Sequence, residues 1–451
     1  MSLPGTSAPA PESRSWFGHP HGLSTLFFTE MWERFSYYGM RAFLILYMVA
    51  PLERGGLGFD ARRAGSWFGT YTSSAWAAAI FGGLIADRWL GQYRSVLIGG
   101  IIIALGHFTL AFKSVHVFPV GLGLIVIGTG LLKPNAGTLV GGLYDKEDPR
   151  RDAGFSIYYM GINLGAFLGP IVAGALAQNV NWHAGFACAG VGMALGLVQY
   201  VAGRGRLVSA IERLSSEPRS GTGARAETVA GGPRTLGFTA GEWKRIAAMA
   251  VFFIFAALFW AGYDQAGSTL NLFGDQDTRH SIMGHEFPSS WYVAVQALFV
   301  ILLAPVFAWV WVRLGSREPS SPAKFAWGLF FLGLSFVILV PAGLAAQGGV
   351  RVSPLWLVAC YFVQELGELS LSPVGLSVFT KLAPLKVASL MLGAWYLANG
   401  LGDKLAGWTA GFFNTVPLAQ IFGIMAVVFL ASAAVLVLLI RPVRRLMGGI
   451  H

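Results

Sequence analysis

Apolar runs of about 20 residues, each long enough to cross a bilayer as a helix, recur along nearly the whole of this 451-residue chain. No other property constrains its fold as much. In hydrocarbon every backbone polar group must find its partner within the protein, so a chain of such runs folds as a helix bundle. Composition points the same way: 55% of residues are hydrophobic and only 12% are charged. Soluble domains carry roughly 25% charged residues. Half that density leaves too little polar surface for a water-soluble fold of this size, which excludes a soluble two-domain enzyme.

Twelve spans are predicted, at 23–49, 64–86, 94–113, 116–141, 153–178, 182–203, 246–271, 289–313, 323–346, 354–380, 386–411 and 418–441. The stretch 204–244 is rich in Arg, Ser, Gly and Glu and holds no 20-residue apolar run. It reads as a soluble linker between two six-span halves, 23–203 and 245–441, with polar tails at 1–22 and 442–451. If the N-terminus faces the cytoplasm, the cytoplasmic segments carry 22 Lys and Arg and the outer loops carry 6. The positive-inside rule then puts both tails in the cytoplasm. The chain's net charge of +10 lies in these short loops and in no single patch, so nucleic acid is not an expected partner. Cys188 and Cys360 both fall in apolar segments and read as packing residues, with no disulfide framework or metal site. The first 20 residues lack the basic, apolar and cleavage regions of a removable signal peptide.

Charges inside a span cost about 2.5–3.5 kcal/mol each on insertion scales and mark functional positions. The first span carries four: Glu30, Glu33, Arg34 and Arg41. The first three share one helix face at i, i+3 and i+4, with Tyr37 and Tyr38 between them and Arg41. Lys133 precedes Pro134 in the fourth span, Asp264 follows Trp260 and Tyr263 in the seventh, and Glu365 and Glu368 precede Pro373 in the tenth. Asp403 and Lys404, adjacent in the eleventh, are expected to neutralise each other near a helix end. Glu30, Glu33, Asp264 and Glu368 against Arg34, Arg41 and Lys133 leave one carboxylate in excess. A buried carboxylate favours its protonated form and an adjacent cation opposes it. Trading the cation for a proton would therefore tie proton movement to conformation. Gly161, Gly165 and Gly169, four residues apart, read as a helix-packing face.

Six plus six spans about a middle loop is the major facilitator layout. Gly83–Arg94, containing Asp87, Arg88 and Gly91, resembles the loop signature of that superfamily, in which a carboxylate and arginines lock helix ends. Three further motifs carry a closer resemblance. They are Glu30-Met31-Trp32-Glu33-Arg34-Phe35-Ser36-Tyr37-Tyr38-Gly39, Phe155-Ser156-Ile157-Tyr158-Tyr159-Met160-Gly161-Ile162-Asn163-Leu164-Gly165-Ala166-Phe167, and Gly367-Glu368-Leu369-Ser370-Leu371-Ser372-Pro373-Val374-Gly375-Leu376. Together they resemble signatures of the proton-dependent oligopeptide transporter family, over roughly Gly22 to Arg441.

The resemblance implies an all-α polytopic membrane protein with twelve transmembrane helices in two six-helix bundles, importing di- and tripeptides with protons by alternating access. It implies no cofactor beyond the coupling proton, a monomer, and a bacterial inner membrane. Arg41 and Lys133 would hold the peptide carboxylate; Asn163 and Glu368 would hold its ammonium. Tyr37, Tyr38 and Tyr159 would line the pocket, with Trp260, Trp395 and Phe379 as further walls. Glu30, Glu33 and Arg34 would couple protons, with Lys133 as their ionic partner. Asp264 would pair with Arg41 at the outer gate. Three positions depart from the commonest pattern: Asp264 stands for Glu, Gln296 for Asn and Trp76 for Tyr.

Two other readings compete. One is a proton-coupled carrier of another anion such as nitrate, which the intact Glu30/Glu33 signature disfavours. The other is a membrane-embedded hydrolase. The sequence has no Gly-x-Ser-x-Gly elbow, His-Glu-x-x-His pair or phosphate-binding loop, so the parts for hydrolysis or ATP-driven pumping are missing.

Overall fold

The computed structural model describes residues 15–145, 147–216, 238–384 and 388–448. Twelve long helices run in succession: Gly22–Val49, Ala61–Ile85, Gln92–Leu110, Phe118–Gly142, Arg151–Asn179, Trp182–Ala202, Ala240–Gln276, Trp291–Leu314, Ser321–Gln347, Leu355–Leu382, Ala388–Ala410 and Leu418–Leu446. They are called here the first to twelfth spans. Among the described residues, eight are long and apolar enough to cross a membrane on composition alone. The other four are the first, second, tenth and eleventh. Three of these carry buried charges and all four border the centre of the molecule, which is the physical reason they are less apolar.

The first span packs on the fifth and sixth, the second on the fourth, and the third on the fourth and sixth. In the other group the seventh packs on the eleventh, the ninth on the tenth and twelfth, and the eighth on the tenth. The groups meet through the second span against the eleventh and the fifth against the eighth. An even number of crossings puts the first and last described residues, Ser15 and Gly448, at one end of the bundle, called here the terminal end.

Small residues allow these approaches. Gly161, Gly165 and Gly169 all lie against the first span, at Phe27, Met31 and Phe35 respectively. A Cβ on Gly165 would meet the Met31 carbonyl oxygen and the Arg34 side chain. Gly165→Val is therefore expected to push the first span outward and to lower the melting temperature of the detergent-solubilised protein by several degrees. Overpacking of this kind costs about 1–3 kcal/mol. An unchanged melting curve would show that the contact is loose.

Two boundaries differ from the sequence reading. The polar 204–244 segment begins with ordered structure: helix Val208–Ser216 lays Ala210 and Leu214 against Gly142, and Arg213 pairs with Asp145 at 3.2 Å. Its residues 217–237 lie outside the described ones. The seventh span starts at Ala240, earlier than its apolar run, because Thr239 and Glu242 form a reciprocal capping box. A short hairpin, Ser281–Ile282 with His285–Glu286, lies between the seventh and eighth spans. The superfamily-like loop also differs from expectation. Asp87 is exposed and accepts from Gln92 Nε2 at 3.0 Å, with no arginine partner among the described residues.

The end opposite the termini is shut. Gly65 and Gly69 of the second span pack against Gly407 of the eleventh. Gln178 Nε2 donates to Ser289 Oγ at 2.6 Å, Ser289 Oγ donates to Asp275 at 2.6 Å, and Trp291 Nε1 donates to the Ile171 carbonyl at 3.1 Å. At the terminal end a cavity of about 610 Å³ opens between Asp148–Phe155 at the start of the fifth span and Pro373, Ser377 and Thr380 of the tenth.

Candidate functional site

The first span positions its charges by helix geometry alone. Glu30, Glu33 and Arg34 lie on one face and are 2%, 0% and 3% exposed, so their charges must be met inside the protein. Arg34 Nε stands 3.2 Å from Glu30 Oε1 and closer still to Glu33. Arg34 also lies over the Tyr37 ring at 5.2 Å. Glu30 takes a second donor from the fifth span, Tyr158 Oη at 2.7 Å. One guanidinium thus faces two carboxylates, and both Glu33 oxygens lack a hydrogen bond.

Lys133, the nearest further cation, is in no ion pair among the described residues. Its ammonium sits 3.2 Å from the centre of the Trp76 ring, a cation–π contact. The ring is stacked on Tyr396 of the eleventh span at 5.7 Å, and its Nε1 donates to Asp403 Oδ2 at 2.9 Å. Tryptophan at this position therefore supplies a donor to the opposite helix group and a shelf for Lys133, where a tyrosine would offer a hydroxyl.

Arg41, two turns beyond Arg34, reaches the seventh span. Its Nη2 is 2.5 Å from Asp264 Oδ1 and 3.6 Å from Asp403 Oδ1. The shorter acid can close this contact because the seventh span breaks there into a tighter turn, Asp264–Gly267. Gly267 lies directly against the Arg41 side chain and Phe68, so the backbone approaches where a side chain would block it. Phe68 also flanks the guanidinium at 5.6 Å.

A second polar region lies across the fifth, seventh and tenth spans. Tyr159 is 40% exposed and lies within electrostatic reach of Glu368, Glu365 and Tyr38. Asn163 is buried and donates to the Tyr159 carbonyl at 3.0 Å. Glu365 accepts from Tyr263 Oη at 2.9 Å, while Glu368 Oε2 has no donor. Gln296 donates to Gln364 Oε1 at 3.1 Å, so it joins the eighth span to the tenth. Trp260 and Trp395 meet edge to face at 6.5 Å, and Phe379 lies on Trp395 at 5.6 Å. The structure thus gathers two zones: cations Arg41 and Lys133 with Tyr37 and Tyr38 on one side, and Asn163, Tyr159 and Glu368 on the other.

One sequence expectation is overturned. Asp403 and Lys404 do not neutralise each other. Successive helix positions diverge by 100°, so Asp403 turns inward, 1% exposed, toward Arg41 and Trp76, while Lys404 is exposed and donates to Thr70 Oγ1 at 2.6 Å. Sequence reasoning also passed over Tyr158, Tyr263 and Gln364. Tyr158 stood inside the fifth-span motif, but only the fold shows its hydroxyl on Glu30.

Comparison with known proteins adds the following. The sequence profile of the POT family matches residues 93–219 and 239–428. The chain is 37% identical to the peptide transporter YePEPT of Yersinia enterocolitica, over 98% of each chain. It is 35% identical to a di-/tripeptide transporter of Lactococcus lactis, over 97% of this chain and 98% of that one. Among solved structures it resembles a POT peptide transporter variant in complex with alafosfalin, with 39% identity, a TM-score of 0.87 and coverage of 97% and 98%.

Proposed function

This chain belongs to the POT family of membrane transporters, and we propose that it imports di- and tripeptides together with protons through a bacterial inner membrane. Family membership removes the hydrolase reading. The observation that carries the proposal is the division of charge across the centre: Arg41 and Lys133 on the first and fourth spans, Glu368 and Asn163 on the tenth and fifth. A short peptide is a zwitterion, so cations at one end and a carboxylate at the other would clamp its termini. The backbone is common to all peptides, and such a clamp tolerates many side chains. The names of the relatives support a peptide cargo.

With the terminal end in the cytoplasm, as the loop charges favour, the conformation is open inward. Arg41 is held by Asp264 and Asp403, as befits a state whose outer gate is closed. Outward opening parts the helix groups and frees Arg41 for a peptide carboxylate, while the acids it leaves can accept protons. Glu30 and Glu33 compete for Arg34, which provides a second place where a proton can replace a cation. Rocking of the halves about this midplane site gives alternating access.

The test is uptake of a labelled dipeptide into proteoliposomes. An imposed inward proton gradient is expected to drive accumulation above the outside concentration, and unlabelled tripeptide is expected to compete. Uptake that ignores the gradient, or competition by nitrate in place of peptide, would count against the proposal.

A further inference from the structure

Among the described residues, Asp403 is the one buried acid in contact with Arg41 to which the resemblance gives no role. It sits on the eleventh span and is 1% exposed. Its Oδ2 accepts from Trp76 Nε1 at 2.9 Å. Its Oδ1 is buried without a hydrogen-bond donor and faces Arg41 Nη2 at 3.6 Å, while Asp264 holds that same nitrogen at 2.5 Å. The two carboxyl groups lie within hydrogen-bonding reach of each other. Two ionised carboxylates cannot hydrogen-bond to one another; a single proton on one of them supplies the missing donor.

The surroundings allow this proton, and among the described residues no cation besides Arg41 is in ion-pair contact with the two acids. Arg41, Tyr37 and Tyr38 face the pair from the first span, Trp76 from the second and Lys133 from the fourth. Lys133 is engaged with the Trp76 ring, and Lys404 points away to Thr70. Glu365 of the tenth span is bonded to Tyr263, and Glu368 faces Tyr159. Arg41 thus serves two acids with one charge.

We propose that Asp403 is a second proton-bearing group of the gate, sharing one proton with Asp264 through its Oδ1 while Arg41 neutralises the pair. Asp264 and Asp403 both belong to the second helix group, and Arg41 and Trp76 to the first. When the gate opens, the two acids stay together and lose their cation, and the pair takes up a further proton from the newly exposed side. On closure, Arg41 returns and displaces that proton toward the cavity open at the terminal end. This deepens the peptide-symport reading and rests on it.

The experiment compares native protein with Asp403→Asn. Asparagine keeps an oxygen for the Trp76 indole and removes only the ionisable group. Facing carboxylates hold a proton more tightly than either alone. The midpoint of gradient-driven dipeptide uptake against pH is therefore expected to move about one unit toward acid in the variant, with peptide counterflow retained. An unmoved or alkaline-shifted midpoint would overturn the proposal and leave Asp403 a structural partner of Trp76. A second arm does not need an active Asp403 variant. In Asp264→Asn, Asp403 becomes the sole acid beside Arg41 and ionises, so the infrared carbonyl band of one buried protonated carboxyl is lost relative to native protein at the same neutral pH. Persistence of that band would also overturn it. Failure of the native protein to take up any peptide would instead sink the transport reading, and the infrared result would still decide whether the proton is shared.

Discussion

Glu33→Gln is expected to exchange labelled for unlabelled peptide at nearly the native rate and to lose gradient-driven accumulation altogether. Glu33 is fully buried, and Arg34, the one cation in ion-pair contact with it among the described residues, is shared with Glu30. Glu30 has a tyrosine hydroxyl besides; neither Glu33 oxygen has a hydrogen-bond donor. Of the two acids, Glu33 therefore depends most on either the guanidinium or a proton, which suits a site that alternates between them. Glutamine fills the same volume and can turn its oxygen to Arg34, so packing should survive. It cannot give up a proton. One pH unit is about 1.4 kcal/mol of driving force, or about tenfold in concentration. Across a two-unit gradient the native protein should concentrate peptide up to about 100-fold for each proton carried, whereas the variant should stop where inside and outside concentrations are equal. Counterflow and accumulation are read from the same proteoliposomes. Native accumulation in the variant would remove Glu33 from coupling, and loss of both would point to misfolding.

The fold was legible because bilayer physics leaves few choices. Apolar runs, four of them interrupted by polar or charged residues, located the twelve helices, and the buried charges of the first span named the central face. What escaped depends on how separate helices rotate against one another. Nothing in the string says that Asp403 turns inward while Lys404 turns out, because an adjacent acid and base read equally well as a local pair. The Trp76 contact with Lys133 escaped for the same reason: it needs Gly82 of the second span against Gly130 of the fourth to bring those helices together. Nor does the string show how an acid shorter than the commoner Glu reaches Arg41: the tight turn at Asp264–Gly267 and the close approach of Gly267 let the backbone make up the distance. The helix at Val208–Ser216 was hidden by its polarity, since it packs through only a few residues.

Arg41→Ala should have the other large effect, and it should be separable into gate and cargo. In the conformation described, the substitution leaves Asp264 and Asp403 buried with no cation in contact. Removing one member of a buried pair costs about 3–5 kcal/mol, so the closed outer gate should be destabilised and the acids should take up protons to compensate. If Arg41 also holds the peptide carboxylate, binding should weaken by about 2–5 kcal/mol, the range for truncating a buried charge pair; even its lower limit is about 30-fold in affinity. A peptide with an amidated C-terminus distinguishes the two roles. It lacks the carboxylate, so native protein should bind it weakly and Arg41→Ala should weaken it little further, a coupling that a double-mutant-style cycle between protein and ligand measures directly. Equal losses for free and amidated peptide would confine Arg41 to the gate. Adding Asp264→Asn and Asp403→Asn to Arg41→Ala removes the orphaned charges and should restore thermal stability without restoring peptide affinity. Stability and affinity recovering together would mean that the arginine acts on cargo only through the gate.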